Sequence, residues 1–542
     1  QGGLDRLRHD GVVAAELLPR PTIGGRRRPR RPRRGPPPGG HWPPPPHGEH
    51  APKPEWLAND GHPLAGNKSG LFYLRDRNDN FRLFIQGRAQ IDFYSYMGPG
   101  VSDTNLKPIL FLRRVRPEIS GVFFKDFWWM LAGDFGATAV DNPRGTNETA
   151  ASAPGAAPTS TSGRFAAAES ARITAAPTDV FVAWRACTGM MLQLGQFDGN
   201  FTMENRTSDK YIPFMERSLA IRAVGIPTNK ELGLMVSGET ASKLAAWSVG
   251  VYDGDGQNRV NVDNRADVMS RVFFHPLHKS DGPLKDAQIG ASFRYGSRDK
   301  DWVHYDYPVM TTQGNYSFWT PSYAGAGGNT HVVPSGDQMA FAGELRIPVS
   351  MFDVTSEFVY VNNHTREAVE GFQAANTERF GAMKGYSYYA QLGMWPLGNR
   401  DVNGLPGYQN PPKLDFSKPD PVDPTVALQL LVKWEQLALK YDSASRGGVA
   451  DVRNIDGDIK VNALSLGANL WITKHVRLTA NYVLNMFPDS APVRATTPTG
   501  PVQGPANRAL APGNTLATGV NDDARDNAHV VHELLARVAI AL

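Results

Sequence analysis

The sequence predicts an all-β fold: a sixteen-stranded antiparallel transmembrane β-barrel with an inward-folded third extracellular loop, preceded by a disordered N-terminal arm. Three observations carry the barrel. Apolar and polar residues alternate with a period of two over long runs, which is the mark of strands with two unlike faces. The connections between these runs alternate between short and long. The chain also ends on such a run, as outer-membrane barrels do. No apolar stretch is long enough for a transmembrane helix. A spanning structure without helices must close on itself, because lipid offers no partner for a free sheet edge.

Residues 1–70 are assigned to an arm and linker. The arm concentrates Pro, Gly and seven arginines, Arg26, Arg27, Arg28, Arg30, Arg31, Arg33 and Arg34, with almost nothing apolar to bury. It is a solvated tail, or an anchor for anionic polymers such as lipopolysaccharide. These arginines also account for the formal net charge of +4, and without them the balance turns negative. A uniformly basic surface for nucleic acid is therefore not expected. The chain begins with Gln and shows no signal peptide, which reads as a truncated or misassigned start.

Residues 71–542 are assigned to the barrel, with a hairpin arm at 71–76 before its first strand. Residues 81–97 set Leu83, Ile85, Ala89, Ile91 and Phe93 against Arg82, Gln86, Arg88, Gln90 and Asp92. Residues 109–123 set Val115, Ile119 and Phe123 against Arg114, Arg116, Glu118 and Ser120. A two-residue turn at Lys125-Asp126 leads into 127–137. Further strands are expected at 178–187, 190–200, 229–239, 243–253, 264–277, 286–297, 337–347, 352–363, 380–397, 424–443, 458–473, 475–486 and 529–542. In the last two, Val476, Leu478, Tyr482, Val538 and Ile540 should face lipid, and Arg477, Asn481 and Arg537 the lumen. Long connections fall at 139–177, 201–228, 298–336 and 487–527; residues 398–423 form a long connection where a short turn is expected. Trp128, Trp129, Tyr386, Tyr388, Tyr389 and Trp395 stand near strand ends as candidates for interfacial girdles. A soluble sandwich or propeller also alternates, but no repeat of propeller length is present.

The connection after residue 200 mixes charge with aromatic residues: Glu204, Arg206, Asp209, Lys210, Tyr211, Glu216 and Arg217 lie within FTMENRTSDKYIPFMERS. Such a segment suits a wet, charged wall; an ordinary surface loop is the plainer reading. Together with ILFLRRVRPEISG, LQLGQFDGNF, YSYYAQLGMWPLGNR and LSLGANLWITKHVRLTANYVLNMF, it resembles the phosphate-selective porin O and P family. The resemblance spans about 71–542. It implies a homotrimeric porin of the bacterial outer membrane, in which the third extracellular loop, 201–228 here, folds into the pore and arginines form a ladder down the wall. Arg88, Arg113, Arg114 and Arg116 are the wall candidates, with Arg113 at the rim. Lys210, Arg217 and Arg222 would continue the path from the loop, with Glu204, Arg206, Asp209, Tyr211 and Glu216 completing the constriction. The permeant would be small anions, with phosphate or polyphosphate as candidates. The bilayer and lipopolysaccharide would be the surroundings.

No catalytic chemistry, cofactor or metal is expected. Cys187 is the lone cysteine, which excludes a disulfide framework. His532-Glu533 begins like a zinc-binding HExxH, but Ala536 holds the second histidine's place. Asp253-Gly-Asp255-Gly-Gln257-Asn258 resembles a calcium loop without EF-hand spacing and reads first as a hairpin loop. His275 and His278 read as solvated turn residues. The alternatives are a porin without phosphate selectivity, a barrel adhesin or enzyme with active loops, and a soluble all-β binding protein.

Overall fold

The computed structural model describes residues 56–542 except 137–175, 370–378, 401–406, 408–411, 418–425, 446–454, 489–508, 512–528 and some shorter stretches. The arm at 1–50 and most of the connection at 139–177 lie outside the described residues. A hairpin of β1 (Ala65–Lys68) and β2 (Leu71–Arg75) comes first. The ring then runs through β3 (Phe81–Met97), β4 (Ile109–Phe123), β5 (Phe127–Asp134), β6 (Ala176–Cys187), β7 (Met190–Asp198), β8 (Lys230–Glu239), β9 (Ala245–Tyr252), β10 (Asp267–Phe274) and β11 (Gln288–Arg298). Three short strands follow, β12 (Met310–Thr311), β13 (Ser317–Trp319) and β14 (Ser322–Gly325). The ring resumes with β15 (Gly328–Val349), β16 (Phe352–Val369), β17 (Arg379–Leu397), β18 (Ala427–Ser445), β19 (Ile455–Thr473), β20 (Val476–Met486) and β21 (Val530–Ala541). Each ring strand pairs antiparallel with the next, and β21 pairs back onto β3, Arg537 opposite Asp92. Sixteen strands close with no free edge.

Closure follows from the two faces. Leu478, Val538 and Ile540 are 37%, 43% and 46% exposed, whereas Arg477, Asn481 and Arg537 on the alternate positions are 4%, 1% and 2% exposed. Ile85, Ile91, Leu194, Leu234, Val249, Ile289, Phe341, Leu430 and Leu466 carry the same outward apolar pattern round the ring. In water, so much contiguous apolar surface would drive aggregation; facing hydrocarbon, it is solvated, and the backbone is satisfied inside the sheet.

The predicted strands all form, with altered ends. Residues expected at 337–347 belong to a longer β15, and residues 298–336 contain two short hairpins where a plain loop was expected. The β4–β5 turn runs through Phe124 and Lys125, with φ of 50° and 66°, instead of Lys125-Asp126 alone. Three of the girdle candidates are corrected: Trp128, Tyr389 and Trp395 are buried. Adjacent residues of a strand face opposite sides, so Trp128 turns in against Phe181 while Trp129 pairs beside outward Val182. Tyr389 turns in, and Tyr386 stacks outside on Phe358 and Tyr388. Trp395 packs on Trp471 with ring centroids 5.2 Å apart.

Candidate functional site

Among the wall arginines, Arg113 owes its placement to one extra residue. Across β3 and β4, Gln90 opposes Arg114 and Ile91 opposes Leu112, which leaves Arg113 as a bulge. A bulge breaks strict alternation and re-aims a side chain. Arg113 and Arg114, adjacent in sequence, are therefore both buried on the polar face. Arg116 follows two residues on, and Arg88 lies directly across from it.

Residues 199–225, between β7 and β8, bond to the polar faces of strands around the ring. The Thr202 amide donates to Ser292 of β11 at 3.1 Å, and the Met203 amide to Glu357 of β16 at 2.6 Å. The Leu219 amide donates to Glu435 of β18 at 2.7 Å, at the start of the short helix α1 (Leu219–Arg222). Asn469 of β19 donates to the Pro213 carbonyl at 2.8 Å, Arg477 of β20 to Ile212 at 3.1 Å, and Arg537 of β21 to Met215 at 2.6 Å.

The charged side chains converge between this segment and β21, β3 and β4. Asp209 pairs with Arg88, with Arg114 at 2.8 Å and with Arg116 at 3.0 Å. Glu216 pairs with Arg113 at 3.1 Å, Arg114 at 3.4 Å and Arg537 at 3.0 Å. Burial pushes the Glu216 carboxyl up, but the three guanidiniums outweigh it and hold it well below the ordinary range. Lys210 meets Glu118 at 2.8 Å, which also pairs with Arg88; Arg116 reaches Asp134 at 2.6 Å. Buried ion pairs repay their desolvation only when well coordinated, and here Asp209 and Glu216 each take three cations.

Other expected residues take different places. Glu204 caps Ser218, accepting from its amide at 3.0 Å and from its hydroxyl at 2.5 Å. Arg217 donates to the carbonyls of Glu204 at 3.3 Å and Thr207 at 3.0 Å, so it braces the segment internally. Arg206 donates to the Asp198 carbonyl, and Arg222 to the carbonyls of Thr311 and Thr312. Tyr211 is 38% exposed and lines an open cleft with Arg346, Tyr389, Trp395 and Arg400.

Sequence reasoning missed a second partner of the segment. The β12–β13 hairpin turns at Gly314, whose amide donates to Glu533 of β21 at 2.9 Å and whose carbonyl accepts from Tyr96 of β3 at 2.5 Å. Gln313 reaches Glu435 at 3.0 Å. Through Arg222 this hairpin and residues 199–225 are joined. It was hidden because its residues show no long alternation. Arg537 and Asp92 were read as inward, but their salt bridge at 2.7 Å becomes visible only once the ring closes. Among the described residues no three His, Cys, Asp or Glu side chains gather to hold a metal.

The chain is similar to several known proteins. The chain is 22% identical over 437 residues to Porin O of Pseudomonas aeruginosa, covering 79% of this chain and 88% of that one. Its structure is similar to outer-membrane expressed OmpT of Vibrio cholerae, with a TM-score of 0.45 at 8% identity, covering 87% and 100% of the two chains. It is also similar to an anion-selective porin from Comamonas acidovorans, with a TM-score of 0.39 at 10% identity, covering 85% and 100%. Neither structural likeness is strong enough to carry function. The family model for phosphate-selective porin O and P matches residues 84–497, most of the barrel, and the chain belongs to that family: it is an outer-membrane porin, a channel and not an enzyme.

Proposed function

We propose that this porin conducts small anions through a path narrowed by residues 199–225, and that phosphate is a candidate permeant. The supporting observation is the charge balance where that segment meets the wall. Arg88, Arg113, Arg114, Arg116, Arg477, Arg537 and Lys210 stand against Asp92, Glu118, Asp134, Asp209 and Glu216, an excess of cations over carboxylates. A ring of fixed charge selects ions by lowering the entry barrier for the opposite sign. Guanidinium remains charged in such a setting and matches phosphate geometry.

The pairing of the arginines with Asp209 and Glu216 moderates that field. It favours a general anion preference, with phosphate passing among other anions, over a tight phosphate site. The homotrimer and the surrounding lipopolysaccharide belong to this proposal through the family. The domain division does too, with residues 1–50 of the arm dispensable for conduction. The test is the reversal potential of the purified protein in a planar bilayer under a chloride gradient, followed by titration of phosphate. An anion-selective potential with phosphate carrying current supports the reading. A cation-selective potential would overturn it, and saturating block of chloride current by micromolar phosphate would replace the general preference with a dedicated site.

A further inference from the structure

The loop after β9 holds a second concentration of charge, away from the arginines of β4 along the ring. Glu231, the second residue of β8, is fully buried. Its Oε2 accepts from the Gly256 amide at 3.0 Å. Its Oε1, and both carboxylate oxygens of Asp253, are shut off from solvent without a hydrogen-bond partner. The Asp253 amide donates to the Leu232 carbonyl at 2.9 Å, which sets the two carboxyl groups side by side, close enough for one shared proton to join them. Burial pushes the Asp253 carboxyl up, hydrogen bonding with Glu231 through such a proton works against it, and Asp255 adds to the rise.

The nearby cations are committed elsewhere. Arg294 binds Asp267 at 2.9 Å, and Arg298 binds Asp267 at 2.6 Å and approaches Asp255 at 3.8 Å. The Tyr305 hydroxyl donates to Asp255 at 2.8 Å. The loop is shaped by Gly254 and Gly256, with φ of 83° and 98°; a Cβ on Gly254 would sit 2.6 Å from Asp267 Oδ1. This curl brings the Gly256 amide to Glu231 and leaves Asp253 beside it.

We propose that Glu231 and Asp253 together bind a divalent, oxygen-seeking cation of the calcium class at the base of this loop. A single shared proton would join one pair of oxygens and leave the third buried oxygen unpaired. A cation engages all three. The loop carbonyls are largely spoken for, since Asp253, Gly254 and Asp255 accept from Asn261, Arg298 and Arg259. Water must complete the shell around two carboxylates, so the affinity belongs in the range of about 10⁻⁴–10⁻³ M found for extracellular calcium modules. Calcium would tie the start of β8 to the start of the loop after β9.

The test uses the full chain folded in vitro in detergent free of lipopolysaccharide, stripped with a chelator and titrated calorimetrically with calcium chloride. One saturable site is expected, together with a rise in unfolding temperature on adding millimolar calcium. Asp253→Asn lies outside the strands and should weaken calcium binding by at least about tenfold, since it removes one of the two charged ligands. Glu231→Gln should do the same. Terbium luminescence excited through the neighbouring Tyr252 reads the same site in the unaltered protein, and calcium should quench it by displacement. Absence of saturable calcium binding in the unaltered protein would overturn the proposal in favour of a shared proton. Unchanged binding in Asp253→Asn would overturn it in favour of another site.

Discussion

Adjacent residues of a regular strand point to opposite faces, so two neighbouring arginines on one face need a backbone irregularity. The bulge at Arg113 supplies it and delivers Arg113 and Arg114 to the same carboxylate, Glu216. The pattern of the sequence marked Arg114, Arg116 and Arg88 as inward, because parity alone decides that. It placed Arg113 at the rim, because one inserted residue leaves composition and alternation on either side unchanged. Glu216 is the residue on which this arrangement turns. Replacing it by Gln removes the charge shared by Arg113, Arg114 and Arg537 while keeping a similar shape. Breaking a buried ion pair from one side typically costs about 3–5 kcal/mol, and a partly wet bore reduces that figure. Glu216→Gln should therefore leave the barrel folded, increase current noise as residues 199–225 loosen, and shift the reversal potential further toward anions. Single-channel recording at fixed salt measures both effects, and a shift toward cations would contradict the assigned role.

At the scale of elements, the strands were the most legible part of the chain, because lipid on one side and a polar interior on the other impose period two on every one of them. The faces of β20 and β21 are those the alternation predicts. Errors arose where that physical rule was not followed through. Trp128 with Trp129, and Tyr388 with Tyr389, are neighbours and cannot both belong to an outer girdle. The β12–β13 hairpin has no lipid-facing side and therefore no alternating signature; its place is set by Glu533, Glu435 and Arg222 from distant parts of the chain. The two faces make a direct prediction. Leu478→Arg puts a charge on the lipid side and should cost about 2–4 kcal/mol near the bilayer midplane. Asn481→Lys, on the inner face of the same strand, should be tolerated. Folding into lipid vesicles, followed by denaturant titration, compares the two; equal stability would contradict the orientation of β20.

At the scale of the whole molecule, the ring fixes where charges stand, and under the proposed function the joined segments at 199–225 and 310–319 set what an ion meets between them. Selectivity is then a difference between wall cations and the carboxylates that hold the segment in place. Arg114 and Arg116 sit on one face of β4, about 6–7 Å apart along the strand, and both pair with Asp209. Changing both to Ala removes two positive charges while Arg88 remains beside Asp209 and Arg113 and Arg537 remain beside Glu216. The segment keeps these anchors and its backbone bonds to Glu357 and Glu435, so the barrel should fold and conduct. With two cations gone, Asp209 keeps Arg88 alone of its three arginines, and the reversal potential should move toward cations. Exposed charges are screened over about 8 Å at physiological salt and over longer distances in dilute salt. The shift should accordingly grow as the salt is diluted. Reversal potentials of the double variant at two ionic strengths test this; an unchanged potential at both, with normal conductance, would show that these arginines serve only to hold residues 199–225 against the wall.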